Sequence, residues 1–259
     1  MSQTKKKKPS ILFKIVRRFV LLFYPKIKIV GTENLPDEPC IIVGNHTQMN
    51  GPIIGEIHFP GKRLIWCVGD MLHLKDVPAY AFRDFWSEKP KCTHWFYKIA
   101  SYIIAPLSVF LMNNARTIGV YHDTRILSTF KATVAGLRDG ANIIIFPEHN
   151  VKYNHIVYEF TTGFIEVARL YYKKTGCEVS FVPMYNAPKL GATYLGKPIK
   201  FCAENSLEDE KKRISGYLMN EITAIAEALP EHTVIPYRNI PKKYYPSNKR
   251  GSANEKTCS

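Results

Sequence analysis

The sequence has no C-x-x-C pair; its six cysteines (Cys40, Cys67, Cys92, Cys177, Cys202 and Cys258) are scattered along 259 residues. That spacing excludes a zinc ribbon or a dithiol redox motif, and reads as reduced thiols of an intracellular chain, several of them in the core. G-x-G-x-x-G and the full G-x-x-x-x-G-K-[ST] motif are missing too, so a nucleotide-binding loop is not supported. Neither H-x-x-x-H nor H-E-x-x-H occurs, and no metal or bound cofactor is expected. Internal repeats are absent. Acidic residues are scarce: 22 Asp and Glu face 36 Lys and Arg, a formal charge of +14. The excess favours anionic partners, whether phospholipid headgroups, nucleic acid or phosphate-bearing substrates.

With 46% hydrophobic and 22% charged residues, the chain can bury a core and is not disordered as a whole. Its length suits one sizeable α/β domain. The N-terminus places Lys5 to Lys8 ahead of an apolar stretch, as an export signal does. Lys14, Arg17 and Arg18 interrupt that stretch and no small-residue cleavage site follows, so no export is expected. Within it Leu12, Ile15, Val16, Phe19, Val20 and Phe23 recur on one helical face with the basic residues opposite. This is the pattern of a helix lying in the headgroup region, and Tyr24-Pro25 stops it. The most apolar run, Trp95 to Met112, contains Lys98 and Pro106 and falls short of a spanning length. It reads as a buried or half-inserted helical hairpin. Tyr244-Tyr245 among Lys242, Lys243, Lys249 and Arg250 suits base stacking or a membrane surface equally. Because the positive residues sit largely at the two ends, nucleic acid is not the expected partner.

Between the ends, strands and helices alternate. Cys40 to Val43, Arg63 to Val68, Thr117 to Tyr121, Asn142 to Phe146 and Val179 to Met184 read as strands. Leu127 to Leu137, Phe160 to Lys174 and Ile214 to Ile225 read as helices. The expected fold is α/β: a single domain with a mixed, largely parallel sheet flanked by helices, preceded by the basic amphipathic helix. The expected divisions are residues 1–24 as the membrane-surface helix, 25–246 as the α/β domain and 247–259 as a disordered basic tail.

Two loops carry candidate chemistry. Asn45-His46 follows one apolar strand and Pro147-Glu148 follows another; ligands of open α/β sheets gather at the carboxyl ends of such strands. Histidine is suited to proton transfer near neutral pH. A plainer reading has Asn45 capping the next helix and His46 as a satisfied polar residue.

The run Ile42-Val43-Gly44-Asn45-His46 resembles the first block of the lysophospholipid and glycerol-3-phosphate acyltransferases, N-H-x-x-x-x-D after a strand. Phe146-Pro147-Glu148 resembles their F-P-E-G block and Phe181-Val182-Pro183-Met184 their late V-P block. Gly119-Val120-Tyr121-His122-Asp123-Thr124-Arg125 falls where their second block stands. Phe160-Thr161-Thr162-Gly163 resembles F-K-x-G, and Gly196-Lys197-Pro198-Ile199 resembles G-K-P-I. These landmarks occur in order between roughly residues 25 and 230.

The resemblance implies acyl transfer from acyl-CoA or an acyl carrier protein to the hydroxyl of a lysophospholipid or related acceptor. The implied place is the cytoplasmic face of the membrane, with the protein peripheral or monotopic. In that reading His46 is the general base. Asn45, His122, Arg125, Pro147, Glu148, His149, Thr162 and Gly163 belong to acceptor binding or site architecture. The implied partners are an anionic membrane surface, a lysophospholipid acceptor and an acyl donor. Three departures stand out. The aspartate five residues after the histidine is Gly51; the arginine after Val120-Tyr121 is His122, with Arg125 three residues on; and the glycine after Pro147-Glu148 is His149. Two readings remain open: an active enzyme in which Glu56, Asp123 or Asn50 supports the imidazole, and a catalytically inactive lipid-binding relative.

Overall fold

The computed structural model describes residues 9–87 and 89–249. The Lys5 to Lys8 run, Arg250 and Cys258 lie outside them. In chain order the regular elements are α1 (Ile11–Phe23), β1 (Lys28–Val30), β2 (Ile41–Gly44), α2 (Asn50–Ile57), β3 (Arg63–Val68), α3 (Val77–Ala81) and α4 (His94–Asn114). They continue with β4 (Thr117–Val120), α5 (Ile126–Arg138), β5 (Asn142–Ile145), β6 (Glu148–Tyr153), β7 (Tyr158–Phe160) and α6 (Glu166–Thr175). The last are β8 (Ser180–Ala187), β9 (Ala192–Leu195), β10 (Ile199–Lys200) and α7 (Leu207–Ala228). The fold is α/β, with a mixed, mostly parallel sheet flanked by helices. Contacts group the chain into two compact units. One is the segment ending at Pro25 together with Ile65–Thr129; the other is Lys26–Leu64 with the chain from Phe130 onward.

In the second unit the strand order is β1-β9-β8-β2-β5, with β10 antiparallel on β8. β2 runs parallel to both neighbours, pairing Val43 with Ile145 of β5 and Gly44 with Met184 of β8. Ile41, Ile42, Val43, Ile143 and Ile144 are fully buried. Covered on both faces, these strands are continuous apolar runs without polar alternation. α7 starts at Ser206, whose hydroxyl accepts the Asp209 N–H, and buries Ile214, Leu218, Ile222 and Ala226 at helical spacing.

Two expectations for this unit change. The helix expected from Phe160 starts at Glu166, because Phe160 pairs with Glu148 in the β6–β7 hairpin and Gly163–Ile165 form a single 3₁₀ turn. α6 then has Glu166 in its first turn, Lys173 and Lys174 in its last, and Gly176 at φ +73° as its cap. The tail expected from Ser247 is ordered through Lys249. Ser247 bridges Thr233, and fully buried Asn248 accepts the His232 N–H at 2.7 Å and donates to the Ala226 carbonyl at 2.7 Å.

In the first unit β3 and β4 pair in parallel, Ile65 with Thr117 through Val68 with Val120. The apolar run read as a hairpin is one continuous helix, α4, with Pro106 inside it. Pro106 is exposed, as is Tyr102, the residue whose carbonyl loses its helical donor to the proline. The opposite side of α4 packs Ala105 against Val77 and Ala81 of α3, with Ile104, Val109, Phe85 and Trp86 around them. α1 rests on the end of α4: the Ser10 N–H donates to Asn114 Oδ1 at 2.9 Å, and Phe13 meets Phe110 edge to face at 6.5 Å. Phe13 is the buried residue of α1, whereas Leu12, Ile15, Phe19 and Phe23 of its apolar stripe are exposed. α4 likewise exposes Trp95, Phe96, Ile99, Tyr102, Ile103 and Leu107. It is long and apolar enough to cross a membrane by length and composition.

Candidate functional site

Parallel pairing of β2 with β5 brings their carboxyl ends to the same edge, so the loops beginning at Asn45 and Phe146 emerge side by side. β8 is also parallel to β2 but runs three residues past Met184, the partner of Gly44, which sets Asn186 beside Asn45. The two amides lock together. The Asn186 N–H donates to Asn45 Oδ1 at 2.6 Å, Asn186 Nδ2 donates to the Asn45 carbonyl at 2.8 Å, and Asn45 Nδ2 donates to the Asn186 carbonyl at 3.2 Å. Both side chains are buried, and Asn186 Oδ1 also accepts the Thr193 hydroxyl at 2.9 Å. Asn45 is therefore a structural lock between strands. It does not cap α2, whose N-cap position is Met49.

Glu148 is the second fastener. One carboxyl oxygen accepts the His46 backbone N–H at 2.6 Å and the other accepts the Tyr158 N–H at 2.9 Å. Burial pushes this carboxyl up to about 7, against the pull of the two amides toward the charged form. Its contact with His46 is thus to the main chain; it joins the β2 loop to the β6–β7 hairpin.

After His46 the backbone turns through two left-handed residues, Thr47 at φ +46° and Gln48 at φ +55°. Such a conformation is uncommon for residues with a Cβ and persists only where the surroundings enforce it. Here the Thr47 carbonyl accepts the Asn50 N–H at 3.1 Å and Asn50 Nδ2 at 2.9 Å, while the Gly51 N–H donates to the His46 carbonyl at 3.1 Å. Gln48 Nε2 donates to the Tyr245 hydroxyl at 2.8 Å, which ties the loop to the segment after α7. Tyr245, one of the pair considered for stacking bases or lipid, is engaged in this tie.

Gly51 has no room for a side chain. A Cβ there meets the His46 carbonyl oxygen at 2.6 Å and Cε1 of Phe146 at 2.8 Å. The Phe146 ring in turn lies against the His46 imidazole at 5.3 Å between centroids and 63° between planes. Tyr237 meets the imidazole at 5.4 Å and 67°, and continues through Tyr158 at 6.2 Å to Tyr153, 4.6 Å further on. Sequence reasoning missed Phe146 as a site residue, Asn186 and Tyr237. Only the position of Phe146 just ahead of Pro147-Glu148 signalled any of them.

The remaining expected residues divide. Pro147 is buried, and its carbonyl accepts the Thr161 N–H at 2.9 Å. His149 is half-buried on β6; Thr162 and exposed Gly163 form the turn into α6. His122 and Arg125 are exposed and belong to the other unit. There Arg125 holds Asp123 by a two-pronged ion pair, closest approach 2.7 Å, and lies 4.2 Å over the Tyr121 ring. Its hydrogen bonds lower the Asp123 carboxyl to about 2. Asp123, weighed above as an acid for the imidazole, is thus engaged by Arg125. Among the described residues no three His, Cys, Asp or Glu side chains gather as a metal ion requires.

No protein-family profile matches the sequence, and no curated protein matches it. Among solved structures the chain is similar to the 1-acyl-sn-glycerophosphate acyltransferase PlsC from Thermotoga maritima. The two share 17% identity over 83% of this chain and 80% of that chain, with a TM-score of 0.43.

Proposed function

We propose that the protein is an acyltransferase with His46 as general base, acting on a lysophospholipid or related acceptor at the cytoplasmic leaflet. The observation that carries the reading is the placement of His46. Its loop leaves the carboxyl end of β2, and the buried Glu148 from the neighbouring strand end grips its amide. The ordered sequence blocks supply the reaction class. His46 takes the proton of the acceptor hydroxyl as that oxygen attacks the thioester carbonyl; the C–O bond forms, the C–S bond breaks, and the departing thiolate of the carrier takes the proton back from His46 and leaves as the thiol. No acyl-enzyme is required. The exposed apolar faces of α1 and α4, with Lys14, Arg17 and Arg18 on α1, support attachment to an anionic bilayer.

The test is turnover. Purified protein given acyl-CoA and lysophosphatidic acid in mixed vesicles is expected to yield the diacyl product. His46→Ala is expected to lower the rate about 10²- to 10⁴-fold, the usual worth of a positioned base. Undiminished turnover in His46→Ala ends the reading. The closed cradle at Gly51 favours the second reading, an inactive lipid-binding relative. Vesicle binding without product across a panel of acceptors and both donor carriers decides for it.

A further inference from the structure

We propose that Tyr237 is a positioning residue: with Phe146 it forms an aromatic clamp that fixes the His46 imidazole, making the segment after α7 part of the site. The inference rests on the reading of His46 as the base. A histidine base needs a group that fixes its ring, and a carboxylate commonly does so. Here the position with the right spacing is Gly51, and the Phe146 ring already occupies the space its side chain needs. The Glu148 carboxylate grips this residue at the main chain, where it accepts the His46 N–H.

Two rings from distant parts of the chain meet the imidazole. Phe146 comes from the end of β5 and Tyr237 from the segment beyond α7, both in edge contact at 5.3 and 5.4 Å. Edge-to-face packing at such separations is attractive and directional. Two such contacts limit rotation of the imidazole about its side-chain bonds.

The Tyr237 arm is itself held. Its ring packs on Tyr158 at 6.2 Å, and the Tyr158 N–H is gripped by Glu148, the same residue that grips the His46 amide. Upstream, His232 is buried and pairs with the Tyr185 hydroxyl at 2.8 Å. Downstream, Tyr245 accepts from Gln48, two residues after the base. A segment tethered at both ends and seated on the imidazole is built as a wall of the site. The clamp sets direction but adds no negative charge to a protonated imidazole, which separates its role from that of a carboxylate.

The experiment compares Tyr237→Leu, Tyr237→Phe and Phe146→Leu, reading steady-state kinetics and the His46 ring-proton signals by NMR. Tyr237→Leu is expected to lower kcat about 10- to 100-fold with KM little changed, the scale of a misplaced reacting group. Its His46 ring protons are expected to shift as the neighbouring ring current is lost. Tyr237→Phe keeps the ring and is expected to restore both readouts. Phe146→Leu reads the other arm, so whichever leucine variant folds decides. Wild-type kcat and unmoved ring signals in a folded leucine variant overturn the clamp, as does a Tyr237→Phe variant as impaired as Tyr237→Leu. If the wild type turns over nothing while the ring signals shift as stated, the acyltransferase reading fails and the clamp stands as geometry.

Discussion

Gly51 stands where the resembled family carries an aspartate, and its surroundings show why a carboxylate cannot simply be put back. Any Cβ at that position presses on the His46 carbonyl oxygen and on the Phe146 ring. Gly51→Asp is therefore expected to destabilise the protein by about 1–3 kcal/mol, the range for overpacking. It is also expected to bring no gain in turnover; urea unfolding and the acyl-transfer assay check the two halves. A second residue-scale prediction concerns Asn186, whose amide satisfies Asn45 and Thr193 inside the protein. Asn186→Ala leaves those buried groups without their partner. It is expected to cost about 2–6 kcal/mol, on the order of 1–3 for each of the two orphaned groups, visible as a lowered Tm. His46 and Glu148 are legible in the sequence because each follows an apolar strand. Their relation is not, since it runs through a main-chain N–H that no side-chain pattern reports.

Among the elements, α1 and α4 are where local pattern and packing diverge most. The stripe on α1 is visible as a helical period, yet only its edge packs inward, where Phe13 is buried in line with half-buried Val16 and Val20. Leu12, Ile15, Phe19 and Phe23 are left exposed. α4 reads as a broken hairpin because Lys98 and Pro106 interrupt its apolar run. It is continuous, with small Ala105 packed on Val77 and Ala81 of α3 while Pro106 is exposed. If these two exposed faces enter lipid, each apolar-to-charged change costs about 1–3 kcal/mol of partitioning. Ile99→Glu, Ile103→Glu and Phe19→Glu are each expected to weaken binding to anionic vesicles about tenfold or more. These three side chains are exposed, so circular dichroism is expected to show an intact fold. Co-sedimentation unchanged in all three sinks the membrane role of these helices. The β6–β7 hairpin is the converse case. Its pairing of Glu148 with Phe160 was hidden, because the Asn154 turn joins strands whose side chains do not alternate cleanly.

At the scale of the molecule two buried carboxyls pull stability in opposite directions with pH. Burial raises Glu148 from 4.5 to about 7, so its neutral form suits the fold. Its contribution is fully present below pH 4.5 and is lost as pH rises toward 7. At Glu210 burial works the same way but is outweighed by hydrogen bonds from Arg213, Asn205 and the Cys202 amide, which hold it at about 2. Its contribution is present above pH 4.5 and is lost as pH falls toward 2. These two groups together place their maximum near pH 4.5. Glu148→Gln cannot ionise and is expected to gain on the wild type by about 3 kcal/mol between pH 4.5 and 7, from a shift of that size. Denaturant titrations at the two pH values measure the difference; a gap that stays constant contradicts it.

The sequence by itself determined what depends on neighbours along the chain. It set the apolar strands, the amphipathic period of α1 and α7 and the order of the candidate blocks. Propensity, capping and periodicity act over a few residues and can be read there. Tertiary structure alone decided what depends on register between strands about a hundred residues apart. It gave Glu148 to the amide of His46, locked Asn45 to Asn186 and set Phe146 and Tyr237 against the imidazole. Those contacts come from parallel pairing and from the return of the chain after α7. Long-range packing fixes both, and it leaves no local trace.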